Sequence, residues 1–305
     1  MELTLGPIAY HWSAERKRDF YTRIADAGPL GTVYLGEVIC SKRAPFFERE
    51  MPETIALLES AGKTVVLSSL AEVVLRRERD ATTGLAEMQD REIEINNASG
   101  LLARAGWPHR IGPFLNAYNE ATIEWLAEQG ATHVCLPTEM PSDAIAVATR
   151  TARGLGLGVE VQVFGRAPLA VSARCYHARA HGRTKDNCQF VCEQDPDGMP
   201  LATRENQPIL RVNGIQTQSE SYVELLDELP ALQDMGVTHA RLMPQDTDMR
   251  DVIDIFSACI SGEIPANEAR RKLSEVCRGT GFSNGFFHGT AGYRRIERAA
   301  EQFTL

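Results

Sequence analysis

Eight short, β-branched apolar runs recur along the chain, and amphipathic stretches separate most of them. The candidate strands are 3–8, 32–35, 63–67, 92–96, 111–115, 132–136, 158–164 and 237–242. Between them, 14–27 sets Phe20, Ile24 and Ala27 on one helical face, and 119–129 sets Ile123, Trp125 and Leu126 toward one side. Gly or Pro marks the joins, at Gly31, Gly62, Gly106-Trp107-Pro108, Gly130 and Gly236. Such alternation calls for a parallel sheet covered by helices, because a parallel crossover needs a connection of helix length. Eight strands between positions 3 and 242 match the size of a (β/α)8 barrel, about 250 residues. The expected fold is therefore α/β, a (β/α)8 TIM-barrel-like architecture. A doubly wound open sheet is the competitor, but no Gly-x-Gly-x-x-Gly turn follows the first strand. Gly154-Leu-Gly-Leu-Gly158 is a helix-to-strand joint without that spacing.

One interval, 165–207, breaks the rhythm. It is rich in Arg, Cys, Asp, Asn, Pro and Gly and has little periodicity. A long irregular insertion in a compact domain is commonly functional. The expected organisation is a barrel domain over 1–260, including this insertion after strand seven. A C-terminal helical and Gly-rich extension over 261–305 would pack on the barrel or on a partner. The net charge of −9 argues against a binder of nucleic-acid phosphates. The longest stretch without a formal charge, 279–293, is full of Gly, Ser and Thr and so predicts no transmembrane segment. The start, Met-Glu-Leu-Thr-Leu-Gly-Pro, shows neither the basic start nor the apolar core of a secretory signal, so a cytoplasmic location is expected.

Seven cysteines, an odd number, then favour thiols over structural disulfides. Three of them fall in the insertion as Cys175-x12-Cys188-x3-Cys192, among Arg, Lys, Asp and Asn. A buried structural cysteine sits in an apolar, periodic context instead, and nearby cations favour the metal-binding thiolate. Three thiolates leave a four-ligand site open. Barrel topology nominates Cys40 as the fourth, because loops after strands two and seven open on the same face. Cys135 and Cys259 sit in apolar runs and read as small buried hydrophobes, while Cys277 is not expected to be a ligand. Spacing alone leaves both zinc and an iron–sulfur cluster open. A radical-enzyme motif, Cys-x3-Cys-x2-Cys, would need a cysteine where Asp195 stands.

The run Glu160-Val-Gln-Val-Phe-Gly-Arg-Ala-Pro-Leu-Ala-Val-Ser-Ala-Arg-Cys175 resembles the signature of the collagenase-like peptidase superfamily. More closely, it resembles the UbiV-type ubiquinone biosynthesis proteins within it. Support comes from Leu5-Gly-Pro, Tyr34-Leu-Gly-Glu-Val-Ile-Cys40-Ser-Lys-Arg43, Val66-Leu-Ser, Leu115-Asn-Ala-Tyr-Asn119, Cys135-Leu-Pro-Thr-Glu139 and Asn213-Gly-Ile-Gln-Thr217. The resemblance implies a 4Fe–4S cluster held by Cys40, Cys175, Cys188 and Cys192. It also implies a UbiU-type paralogous subunit as heterodimer partner, and oxygen-independent ring hydroxylation of a quinone precursor, free or on a lipid carrier protein. Peptidase-branch members carry a cysteine at the position held here by Pro168, a departure that favours the UbiV branch over a collagenase-like peptidase. A third reading is a non-catalytic scaffold whose cluster is structural. The resemblance names no catalytic acid or base.

Other candidates stand at the carboxyl ends of strands: Glu37, Glu139, Asn116 and Asn119. Glu37 is open to a plainer reading, pairing with Lys42 or Arg43. His177 and His181 are expected as solvated loop residues rather than ligands. Arg174 and Lys185 flank cysteines and are open to two readings, donors to cluster sulfurs or surface charge.

Overall fold

The computed structural model describes residues 1–297. The final residues of the expected C-terminal extension, 298–305, lie outside the described residues. Strands β1 (Glu2–Leu5), β2 (Leu30–Leu35), β3 (Thr64–Ser68), β4 (Glu92–Ile95), β5 (His109–Ile111), β6 (Ala131–Cys135) and β7 (Gly158–Val171) pair in sequence order, all parallel. Three strands, β8 (Met199–Ala202), β9 (Pro208–Asn213) and β10 (Gln216–Glu224), follow before β11 (His239–Leu242). Strand β11 pairs in parallel with both β7 and β1, which closes an eight-stranded barrel. This is the (β/α)8 fold expected from the alternation.

Helices fill the crossovers: α1 (Ala14–Ala25), α2 (Met51–Ser60), α3 (Arg76–Ala86), α4 (Ala98–Arg104), α5 (Glu120–Glu128) and α6 (Ser142–Gly154). A short α7 (Tyr176–Ala180) lies in the insertion, α8 (Leu229–Met235) precedes β11, and α9 (Met249–Ile260) and α10 (Ala266–Val276) follow it. Side-chain caps start several of them. Ser13 accepts from the Arg16 N–H, Asn119 from Thr122, and Asp248 from Arg250 and Asp251. A two-residue β12 (Phe282–Ser283) pairs with β10, so the Gly-rich segment folds back against the sheet extension.

Three expectations for strands need correction. The first strand ends at Leu5 rather than at position 8, before Gly6-Pro7. The fifth strand covers His109–Ile111 rather than 111–115, because Gly112-Pro113 breaks the ladder and Pro113–Leu115 turns as a 3-10 helix. The seventh runs on past 164 to Val171, beyond the barrel rim, where β10 pairs with it antiparallel. Strands β9 and β8 continue that antiparallel ribbon, so the irregular interval contains sheet as well as loop.

Charge fills much of the barrel interior. Along β4, Ile93 and Ile95 are buried to either side of Glu94, itself 1% exposed. The Arg241 guanidinium on β11 donates to Glu94 Oε1 at 2.5 Å and to Glu160 of β7, and its charge lies 4.0 Å from the Tyr34 ring centre. Tyr34 donates to Glu160 Oε2 at 3.0 Å, and Thr4 donates to the same carboxylate. Burial alone would raise Glu160, but Arg241 holds it down to about 2.

Candidate metal centre

The loop after β2 turns back through a 3-10 helix, Ser41–Phe46, with Cys40 at its entry. Glu37 shapes that turn: its Oε1 accepts from the backbone N–H of Ile39 at 3.1 Å and of Cys40 at 2.9 Å. From the other side, β7 delivers Cys175 to the start of α7, where its Sγ accepts the Ala178 N–H at 3.4 Å. Cys188 follows on the loop, and Cys192 sits in a 3-10 turn, Val191–Gln194. Cys40, Cys175, Cys188 and Cys192 line one small cavity of about 20 Å³, together with Lys42, Arg43, His177, Lys185, Phe190, Val191 and Gly214. The structure thus brings together all four cysteines that the sequence singled out. The other three stay apart: Cys135 and Cys277 are buried in the fold, and Cys259 is half-buried on α9.

The walls of this cavity are apolar and cationic. Ala9, Val38, Ile39, Cys175, Ala178 and Ile215 form a small core of their own beneath it. Lys42 reaches across to the insertion, donating to the Lys185 carbonyl at 2.7 Å, the Asp186 carbonyl at 3.2 Å and Cys188 Sγ at 3.4 Å. Arg43 is 1% exposed and donates to the Ala9 carbonyl at 2.9 Å and Asn213 Oδ1 at 3.0 Å. No carboxylate forms an ion pair with Arg43 among the described residues, and its Nε has no partner. A buried cation without an ion-pair partner is expensive. The Cys40 and Cys192 sulfurs face it, and negative charge on them raises the Arg43 pKa against the effect of burial. Burial in turn raises the Cys40 and Cys175 thiols, with Arg43 opposing. Arg43 and Lys42 thus set positive charge beside the sulfurs, against a burial that favours the neutral thiols of Cys40 and Cys175.

An all-thiol donor set suits zinc or an iron–sulfur group. Among the described residues, no three of these thiols lie mutually within 4.8 Å. Four sulfurs sharing one tetrahedral zinc ion sit about 3.8 Å apart, from Zn–S bonds of about 2.3 Å. The four sulfurs as placed are therefore not drawn together at the spacing of a single tetrahedral ion. The trio that does meet the 4.8 Å spacing is His177, His181 and Asp195. There, His177 is fully buried, with Nε2 bonded to Asp195 Oδ2 at 2.8 Å and Nδ1 facing the Gly214 N–H at 3.5 Å. Both ring nitrogens are engaged, so this trio ties α7 to the Cys192 turn. His177 is thus not the solvated residue expected from sequence, whereas His181 is exposed.

The remaining candidates fall into structural roles. Asn119 caps α5, Asn116 adopts the left-handed conformation at φ 56°, and Glu139 accepts from Tyr118 at the surface. Glu37 forms no ion pair with Lys42 or Arg43, both of which are turned toward the insertion and the sheet extension. Of the flanking cations, Lys185 lines the cavity and Arg174 is exposed. Sequence reasoning missed Lys42 and Arg43 as neighbours of the thiols. The one available signal was their position directly after Cys40.

Against known proteins, the sequence matches peptidase family U32 over residues 12–297. The chain belongs to peptidase family U32. Pro168 lies on β7 opposite Gln218 of β10 in this U32 protein. Among solved structures, it is similar to a phospho-2-dehydro-3-deoxyheptonate aldolase from Thermotoga maritima: 12% identity, 92% of this chain and 71% of that one, TM-score 0.41. A second is D-psicose 3-epimerase from Clostridium cellulolyticum H10, with 12% identity, 90% and 98% coverage, and TM-score 0.40.

Proposed function

We propose that this U32 protein binds a 4Fe–4S cluster through Cys40, Cys175, Cys188 and Cys192. It serves oxygen-independent ubiquinone biosynthesis, as one subunit of a complex with a UbiU-type paralogue that hydroxylates the ring of a quinone precursor. The observation that carries the reading is the convergence on one cavity of a thiol from the β2 loop and three thiols more than 130 positions later. The UbiV-like motifs and Pro168 supply the branch of the family. When bound, such a cluster supplies one-electron transfer. The chain's own residues would set its charge and position. Arg43 offsets the negative charge of the thiolates, Lys42 and the Ala178 N–H donate to sulfur, and Phe190 and Val191 keep water away.

Anaerobic iron and sulfide analysis tests this directly. The wild type is expected to carry close to four iron and four sulfide per chain. Cys40→Ala, Cys175→Ala, Cys188→Ala and Cys192→Ala should each lose most of it, while Cys135→Ala and Cys259→Ala retain it. Stoichiometric zinc without sulfide, or equal iron loss in both groups, would overturn the assignment. Co-purification of a paralogous subunit tests the partner. Family membership also favours a peptidase reading, and cleavage of gelatin by cluster-replete protein would move the conclusion there.

A further inference from the structure

A cavity of about 810 Å³ opens on the flank of the barrel. It arises in the helix layer, where α1 packs on α2 and α3 on α4, and residues of α2 and α3 line it from two sides. Leu35 and Leu67 of the strands, Met51 and Ile55 of α2, and Ala81 and Leu85 of α3 wall the gap. The volume falls within the range of small-molecule sites, about 300–1,000 Å³. Toward the carboxyl ends of β2 and β3 the lining becomes polar, with Lys17, Glu37, Ser41 and Arg43. Toward the opposite end it reaches Asp90 and Arg91, just before β4.

Lys17 decides what the cavity accepts. Its side chain comes from α1 and is 7% exposed. Its ammonium donates no hydrogen bond and forms no ion pair among the described residues, and the Phe47 ring lies 5.5 Å away. Burial lowers its pKa, with Glu37 opposing. An ammonium that faces the cavity without a protein acceptor is free to bond a ligand oxygen there. Arg43 and Lys17 share this end with two carboxylates, Glu37 and the exposed Glu48, and it is the unmet ammonium of Lys17 that favours an anionic head. The long apolar wall that follows asks for an unbranched apolar body.

We propose that this cavity binds a fatty-acid-like amphiphile, with its carboxylate at the Lys17 ammonium and its chain between α2 and α3. The site stands apart from the proposed cluster: only Arg43 lines both cavities, and the binding test does not require the thiols to be loaded. Decanoate is the probe, titrated calorimetrically against the protein as purified, with decylammonium of equal chain length as the control. Decanoate should bind with a micromolar dissociation constant, and decylammonium at least tenfold more weakly. Lys17→Met should weaken decanoate at least tenfold, and Leu85→Trp or Ile55→Phe should block it by filling the gap. Independently of any variant, a diazirine-bearing decanoate should label peptides 51–60 and 76–91. Equal affinity for the two head groups, an unchanged affinity in Lys17→Met, no binding, or labelling confined to other peptides would each overturn the proposal.

Discussion

At the scale of single residues, the neighbourhood of the thiols is defined by groups without partners. His11 is 2% exposed, and neither ring nitrogen has a hydrogen bond. It packs against Phe46 and Phe190, with ring centres 4.9 and 5.5 Å away. Burial, then Arg43 and Lys17, lower its pKa from the ordinary 6.5 to about 4. The unfolded chain therefore takes up a proton between those values that the folded chain refuses, and stability falls as pH drops through that window. His11→Phe keeps the aromatic packing and removes the proton. Denaturant unfolding at pH 7 and 4.5 should show the wild type losing about 2–3 kcal/mol more than the variant on acidification. Equal losses would mean that His11 finds a partner in solution.

The elements explain what the sequence made readable. Continuous apolar runs and helical patterning placed eight barrel strands, because parallel strands buried on both faces are nearly continuous in β-branched residues. The same logic failed for β8 to β10. Their pattern, as in Gln216-Thr-Gln218, buries polar side chains, with Gln216 at 2% and Gln218 at 3% exposure, so it carries no apolar run to mark a strand. The cysteines were legible because three thiols in a polar segment have no packing explanation. Lys42 and Arg43 were not, because exposed and buried cations have the same letters. The turn between β9 and β10 tests how tightly these elements are joined. Gly214 adopts φ +63°, and a Cβ there would lie 2.5 Å from Arg43 Nη2, which is already tied to Asn213. Gly62 has a similar φ, +79°, but open space around it. Gly62→Ala should cost about 1 kcal/mol from the backbone alone. Gly214→Ala should cost about 2–3 kcal/mol, since Arg43 must also give up a hydrogen bond. Thermal melts of the pair measure the difference, and equal losses would show that Arg43 moves freely.

For the whole molecule, the charged barrel interior sets a different condition on folding from the apolar helix layer around it. Glu92-Ile-Glu-Ile95 alternates as a half-solvated strand would, and nothing in that pattern says that Glu94 faces Arg241 and Glu160 from across a barrel. Closure supplies that information, since β11 meets β1 and β7 only when the sheet is complete. Removing the cation alone should then be far worse than removing the whole set. Arg241→Met leaves two carboxylates buried without their counter-charge and should cost about 3–5 kcal/mol in urea unfolding. Adding Glu94→Gln and Glu160→Gln keeps acceptors for Ser68, Tyr34 and Thr4 while removing both charges. This triple variant should recover more than half of the loss. The acid limb gives the same test from the other direction. Glu160 is held near 2, so its contribution is complete above the ordinary carboxylate value of 4.5 and disappears as pH falls toward 2. The triple variant should lack that part of the acid transition. A triple variant no more stable than Arg241→Met, with an unchanged acid limb, would show that hydrogen bonds rather than charge hold the barrel closed.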